Sequence, residues 1–104
     1  MPADRERVSL LLDYYGDLLT RHQFDIMDQY FNEDLSMNEM ADSFNVSKSA
    51  VQDLIKKTAL KLEDLEDKMR LIETDMRLNG ILNEMREEND PLLDKYVDKI
   101  NSVR

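Results

Sequence analysis

Apolar residues recur at helical spacing along almost the whole chain. Val8, Leu11, Leu12, Tyr15, Leu18 and Leu19 step by three and four residues, the stripe of an amphipathic helix. Gly16 interrupts that helix but need not break it. Thr20-Arg21-His22-Gln23 has the form of a capping box, with Thr20 as the cap and Gln23 reaching back. It predicts a second helix to about Phe31, with Phe24, Met27, Tyr30 and Phe31 facing inward. Asn32-Glu33-Asp34 is a polar break. Ser36 opens a second capping box that closes at Glu39, followed by a short helix through Met40, Ala41 and Phe44. Asn45 suits the left-handed conformation that ends such a helix, and Ser47 suits the cap of the next.

That next helix reads as unusually long. Val51, Ile55, Thr58, Leu62, Leu65, Met69, Ile72 and Met76 alternate by four and three, a heptad seam with no Gly or Pro before Gly80. About 30 helical residues would span roughly 45 Å, so the far end must pack on another surface. Leu62, Leu65, Met69, Ile72 and Met76 are therefore candidates for helix packing or dimerisation. A short helix is expected near residues 78–88. Asp90-Pro91 then starts a last one, with Leu92, Leu93, Tyr96, Val97 and Ile100 on its apolar side. The pattern is all-α. It predicts a three- to four-helix core at 1–61 without a wing, and at 62–104 a helical extension continuous with the long helix.

Composition narrows the function. Two Gly and two Pro in 104 residues leave little room for hairpins. With no Cys, there is no disulfide, zinc ribbon or thiol nucleophile. No apolar run approaches a membrane span, and no signal sequence opens the chain; a cytoplasmic address follows by elimination. The net charge of −9 is unfavourable for a nucleic-acid binder, but it is unevenly spread. Residues 1–34 carry −5, 35–46 carry −2, 47–61 carry +3 and 62–104 carry −5. The one basic segment is where a recognition helix would lie.

Met37 to Lys56 has the residues of a helix-turn-helix. Ala41 is small where two helices must approach, Met40 and Phe44 fill the inner side, and Val46 is expected to plug the turn. Val51, Leu54 and Ile55 would anchor the second helix from below, leaving its outer face free for the major groove. The exposed candidates there are Lys48, Ser49, Gln52, Asp53, Lys56 and Lys57. Gln52 has the amide to contact adenine and Lys48 the charge to reach guanine. Ser47, Lys56 and Lys57 are placed for phosphates, and Ser49 completes the candidate DNA-binding set.

Leu18-Leu19-Thr20, Gln23, Tyr30-Phe31, Leu35-Ser36, Glu39-Met40-Ala41 and Val46-Ser47-Lys48-Ser49-Ala50-Val51 resemble the fourth region of bacterial sigma factors. With the Asp13-Tyr14-Tyr15 opening and the acidic extension, residues 5–85 more closely resemble the YlxM-like family of small DNA-binding proteins. The resemblance implies a gene beside those of the signal recognition particle and its receptor. It thereby implies a regulatory or accessory role in protein targeting, with components of that particle as partners. Here Asn45 replaces the usual Gly, Lys48 and Ser49 replace an Arg-Gln pair, and Gln52 stands where an aromatic is common. Lys lacks the planar fork that makes Arg a strong bidentate reader.

Other chemistry is thinly represented. His22 is the single histidine and reads as a surface or interface residue, so no metal site is expected. Glu63, Asp64, Glu66 and Asp67 flank the seam and read as a solvated face rather than an acid-base pair. The Met residues fall mostly on apolar stripes, where core packing is the plainer reading. No phosphate loop or nucleophile motif appears, and neither an enzyme, a cofactor nor a small-molecule substrate is expected. Two functions remain: a homodimeric DNA-binding regulator, or an adaptor that docks on a protein or ribonucleoprotein and keeps the helix-turn-helix as a scaffold.

Overall fold

The computed structural model describes residues 4–104, which form six α-helices and no strand. They are α1 (Arg5–Tyr15), α2 (Arg21–Phe31), α3 (Met37–Phe44), α4 (Lys48–Met69), α5 (Leu71–Glu87) and α6 (Pro91–Ser102). The chain divides into two compact units, one ending at Arg70 and one running from Leu71 to Arg104.

In the first unit each helix begins where the sequence supplies a cap. Asp4 accepts from the Glu6 N–H at 3.0 Å to start α1. Thr20 and Ser36 form complete capping boxes with Gln23 and Glu39, satisfying orphan donors at both ends of each box. Ser47 accepts from the Ala50 N–H at 3.0 Å to start α4. At Gly16 the helix does break: α1 stops at Tyr15, and Gly16–Leu18 make a 3-10 turn. Packing accounts for the glycine itself, since a Cβ on Gly16 would stand 2.9 Å from Cε2 of the Phe24 ring.

The core of this unit is drawn from all four helices. Val8, Leu11, Leu12 and Tyr15 come from α1, Ile26, Met27 and Phe31 from α2, Met40 and Ala41 from α3, and Val51, Ile55, Thr58 and Leu62 from α4. Ile26 joins the inward face of α2, while Phe24 and Tyr30 are only half-buried. Polar clamps close the edges. Arg5 donates to the Tyr30 carbonyl at 2.8 Å, pairs with Asp34 at 3.2 Å and lies 4.8 Å from the Tyr30 ring centre. Arg7 forks onto both Glu63 oxygens at 2.9 and 3.0 Å, tying α1 to α4.

The long helix of the sequence reading is two helices. Arg70 adopts a left-handed conformation (φ 53°, ψ 35°), which ends α4, and α5 starts at Leu71 and passes through Gly80 to Glu87. The extension is therefore not continuous with the recognition helix. The division of the chain falls after Arg70 rather than after Lys61, and Leu62 and Glu66, both buried, belong to the first unit. The heptad gives way for a geometric reason. The buried face of α4 runs Val51, Ile55, Thr58, Leu62, Glu66, steps averaging above 3.5 residues, as a straight helix requires. Leu65 consequently turns half outward, and Glu66 turns in.

The second unit packs α5 against α6. Asn89, left-handed at φ 55°, and Asp90, whose side chain accepts from the Leu92 N–H at 2.9 Å, form the turn ahead of Pro91. Ile72, Leu82 and Val97 are its buried side chains. Arg86 reaches Asp98 at 2.7 Å, and Arg104 reaches Asn79 at 2.6 Å and Asp75 at 3.2 Å. Among the described residues no helix is long and apolar enough to cross a membrane.

Candidate nucleic-acid interface

The turn between α3 and α4 sets how α4 is presented. Asn45 takes the left-handed conformation (φ 56°, ψ 47°), and its N–H and that of Val46 bond back to the last turn of α3. This is the glycine-like stop that aims α4 away from α3, and an Asn adopts it at modest cost. Val46 does not plug the turn; it is 44% exposed. The apolar seal comes from Met40, Ala41, Val51 and Ile55 instead. Phe44 is half-buried under the exposed His22, their rings edge to face at 5.4 Å.

All six candidate contacts, Ser47, Lys48, Ser49, Gln52, Lys56 and Lys57, are exposed on the first three turns of α4. They are not equivalent. The Ser47 hydroxyl is already engaged as the cap, leaving its second lone pair and its proton for a phosphate. Lys57 pairs with Asp53 at 2.9 Å, one turn away on the same face. Lys48 borders a shallow groove of about 310 Å³, with Arg5, Tyr30, Asp34 and the start of α3 on its other sides. Arg5 adds a second cation near Lys48 across that groove. No local motif announced it, because only folding brings the start of α1 to the start of α4.

Beyond Lys57 the outer face changes character. Leu60 is 71% exposed, Lys61 leans to Gln23 at 3.4 Å, and Asp64 pairs with Lys68 at 2.8 Å. The basic surface is thus confined to the N-terminal half of α4, and a nucleic acid tracking further along would meet Asp64 and Asp67.

The acidic cluster is not one solvated face. The hydrogen bond from Arg7 holds the Glu63 carboxyl below the usual carboxylate range, its charge adding to the effect against a partial burial penalty. Glu66 is buried, and its Oε1 accepts from the Tyr15 hydroxyl at 2.5 Å. Both carboxylates act as struts between α1 and α4. Among the described residues no group of three or more His, Asp or Glu side chains converges as a metal ion would require.

The packing candidates are scattered by the break at Arg70. Leu62 is fully buried within its own chain, Leu65 is half-buried, Met69 is 48% exposed, Ile72 is buried and Met76 is 58% exposed. They do not line one helix.

Residues 3–102 match the family described as "Putative helix-turn-helix protein, YlxM / p13 like". The chain is 37% identical over 99 residues to a UPF0122 protein of Clostridium kluyveri, covering 95% of this chain and 82% of that one. It is 36% identical over 102 residues to a counterpart from Clostridium perfringens, covering 92% and 91%. A UPF0122 protein of Malacoplasma penetrans is 39% identical over 100 residues, covering 93% and 92%.

Proposed function

The chain belongs to the UPF0122 family of YlxM / p13-like helix-turn-helix proteins, and from that premise we propose that it is a DNA-binding regulator. Its contact surface is the N-terminal half of α4. The observation that carries the reading is the coincidence of charge and exposure. The single net-positive stretch of a −9 chain lies outward on the second helix of the helix-turn-helix. Gln52 reads a base edge, Lys48 and Ser49 sit at the leading end, and Ser47, Lys56 and Lys57 hold phosphates. The regulator works as a homodimer, so that two such helices meet two half-sites. It serves the signal recognition particle pathway, a placement that rests on the family resemblance alone. The reading contains no catalytic step and no cofactor.

The test is binding of the full chain to duplex DNA from its own promoter region, titrated against salt. Specific binding with a log–log salt slope that falls by about 1 for each of Lys48→Ala and Lys56→Ala supports the reading. Gln52→Ala should relax base preference while leaving that slope unchanged. Absence of binding at low salt overturns it.

A second reading has its own support. Asp53 lies within the basic face, and Glu39 and Asp42 are exposed on α3, where they repel phosphate. On this reading the protein is an adaptor whose acidic body docks on a basic protein or ribonucleoprotein of the targeting machinery. Binding to such a partner that survives the four substitutions Lys48→Ala, Gln52→Ala, Lys56→Ala and Lys57→Ala would favour it.

A further inference from the structure

The second unit is incomplete by the measure of its own core. From Leu71 to Arg104 it buries Ile72, Leu82 and Val97, yet it leaves Leu71, Met76, Ile81, Leu92, Tyr96 and Val103 exposed. A two-helix unit of this size has too little interior to be stable on its own and ordinarily gains core by association.

Met76 on α5 and Leu92 and Tyr96 on α6 belong to two unlike faces, while Leu71 and Ile81 lie on neither. On α6, Leu92 and Tyr96 stand one turn apart and share one exposed stripe, and Val103 is exposed just past the end of the helix. Lys95 and Lys99 flank the stripe, their ammonium groups 5.9 and 5.3 Å from the Tyr96 ring centre. The acidic residues of α6 are drawn to the other side, where Arg86 holds Asp98 at 2.7 Å and Asp94 at 3.9 Å. This face is bulky, apolar and basic.

The outer face of α5 is its complement. Met76, Gly80, Asn83, Glu84 and Glu87 share one side of the helix, all exposed. Gly80 lies in the helix interior with ordinary φ, and a Cβ there would meet nothing within 4 Å. Nothing in the chain's own packing calls for a glycine, although it costs about what any mid-helix glycine costs. Its effect is a flat place beside Met76, edged by carboxylates, where another helix can approach closely.

Resting on the homodimer of the proposed function, we propose that the partner of this unit is a second copy of the chain, with the Leu92–Tyr96 face of α6 in one copy seated on the Met76–Gly80 face of α5 in the other. The contact is isologous: each copy offers both faces, so one two-fold operation satisfies both and closes a four-helix bundle. Lys95 and Lys99 meet Glu84 and Glu87 twice in the pair. Of the heptad seam the assembly uses Met76 alone, and it joins chains without involving α4.

Mass measured by sedimentation equilibrium on the full chain tests this. The wild type is expected at twice 12.3 kDa. Gly80→Leu fills the flat place but favours the helix, so it should give the monomer mass with unreduced helical content. Lys95→Glu with Lys99→Glu, and separately Glu84→Lys with Glu87→Lys, should each weaken association by about 10-fold or more. Mixed one to one, these two charge-reversed chains should pair with each other, because both contacts then join opposite charges. A wild type that stays monomeric at high micromolar concentration overturns the proposal. So does a dimer that Gly80→Leu leaves intact, or charge-reversed chains that fail to pair when mixed.

Discussion

Up to Arg70, each helix packs against at least two others: α1 on α2 and α4, α2 also on α3, and α4 on all three. The second unit has the α5–α6 pair. The first unit closes its core with side chains from four directions, so a residue such as Leu62 has no exposed surface left. The second meets its core from two sides, and apolar groups as large as Tyr96 remain in water. Both units contain capped helices, the four of the first and α6 of the second, and both carry apolar residues at helical spacing. Local sequence quality is similar, and what separates the units is how many neighbours each helix has to bury its stripe against.

The largest contrast is expected along the heptad itself. Leu62→Ala should lower the unfolding free energy by about 2–5 kcal/mol, because its site is fully enclosed. Met69→Ala, on the same sequence seam but half exposed, should change it by less than about 0.5 kcal/mol. Equal losses in urea unfolding would mean that the seam, and not the four-helix core, governs stability. The two glycines offer the next comparison. Gly16→Ala forces a methyl against the Phe24 ring and should cost about 1–3 kcal/mol. Gly80→Ala, measured where copies do not associate, should gain about 0.5–1 kcal/mol.

Thr58 offers a smaller test inside the first unit. Its hydroxyl is buried and has no hydrogen-bond partner among the described residues. Thr58→Val keeps the shape and removes the unmet polar atom, so thermal unfolding should show a gain of about 1 kcal/mol. The smallest effect is the pH dependence of the Arg7–Glu63 strut. Glu63 has its carboxyl lowered in the folded chain from the ordinary 4.5. The unfolded state therefore takes up a proton first as pH falls. The contribution is complete above about pH 4.5 and is lost as pH drops through the folded value. On this half-exposed pair solvent screening keeps it below about 1 kcal/mol. Glu63→Gln should flatten that part of the acid unfolding curve.

The local signals of the sequence were legible because each depends on a few adjacent residues. The two capping boxes, the left-handed Asn45, the Ser47 cap and the Asp90-Pro91 start all lie where a reading of spacing places them. The six candidate contacts on α4 are likewise exposed, since the periodicity of one helix suffices to say which residues turn away from its buried face. Arg5 beside Lys48, the Arg7–Glu63 fork and the buried Tyr15–Glu66 bond were not legible. Each joins residues more than forty positions apart, and no periodicity spans that distance.

The sequence by itself determined an all-α chain, the helix-turn-helix within it and the side of α4 that faces out, because caps and three-to-four spacing are local physics. Tertiary structure decided where the long helix ends. An unbroken heptad with no Gly or Pro reads as one long helix, and the left-handed Arg70 that divides it carries no mark of its own in the sequence. Once α4 packs as a straight helix on three neighbours, its 3.6-residue period carries Glu66 into the core and Leu65 partly out. The heptad cannot survive that drift, and the chain turns at Arg70.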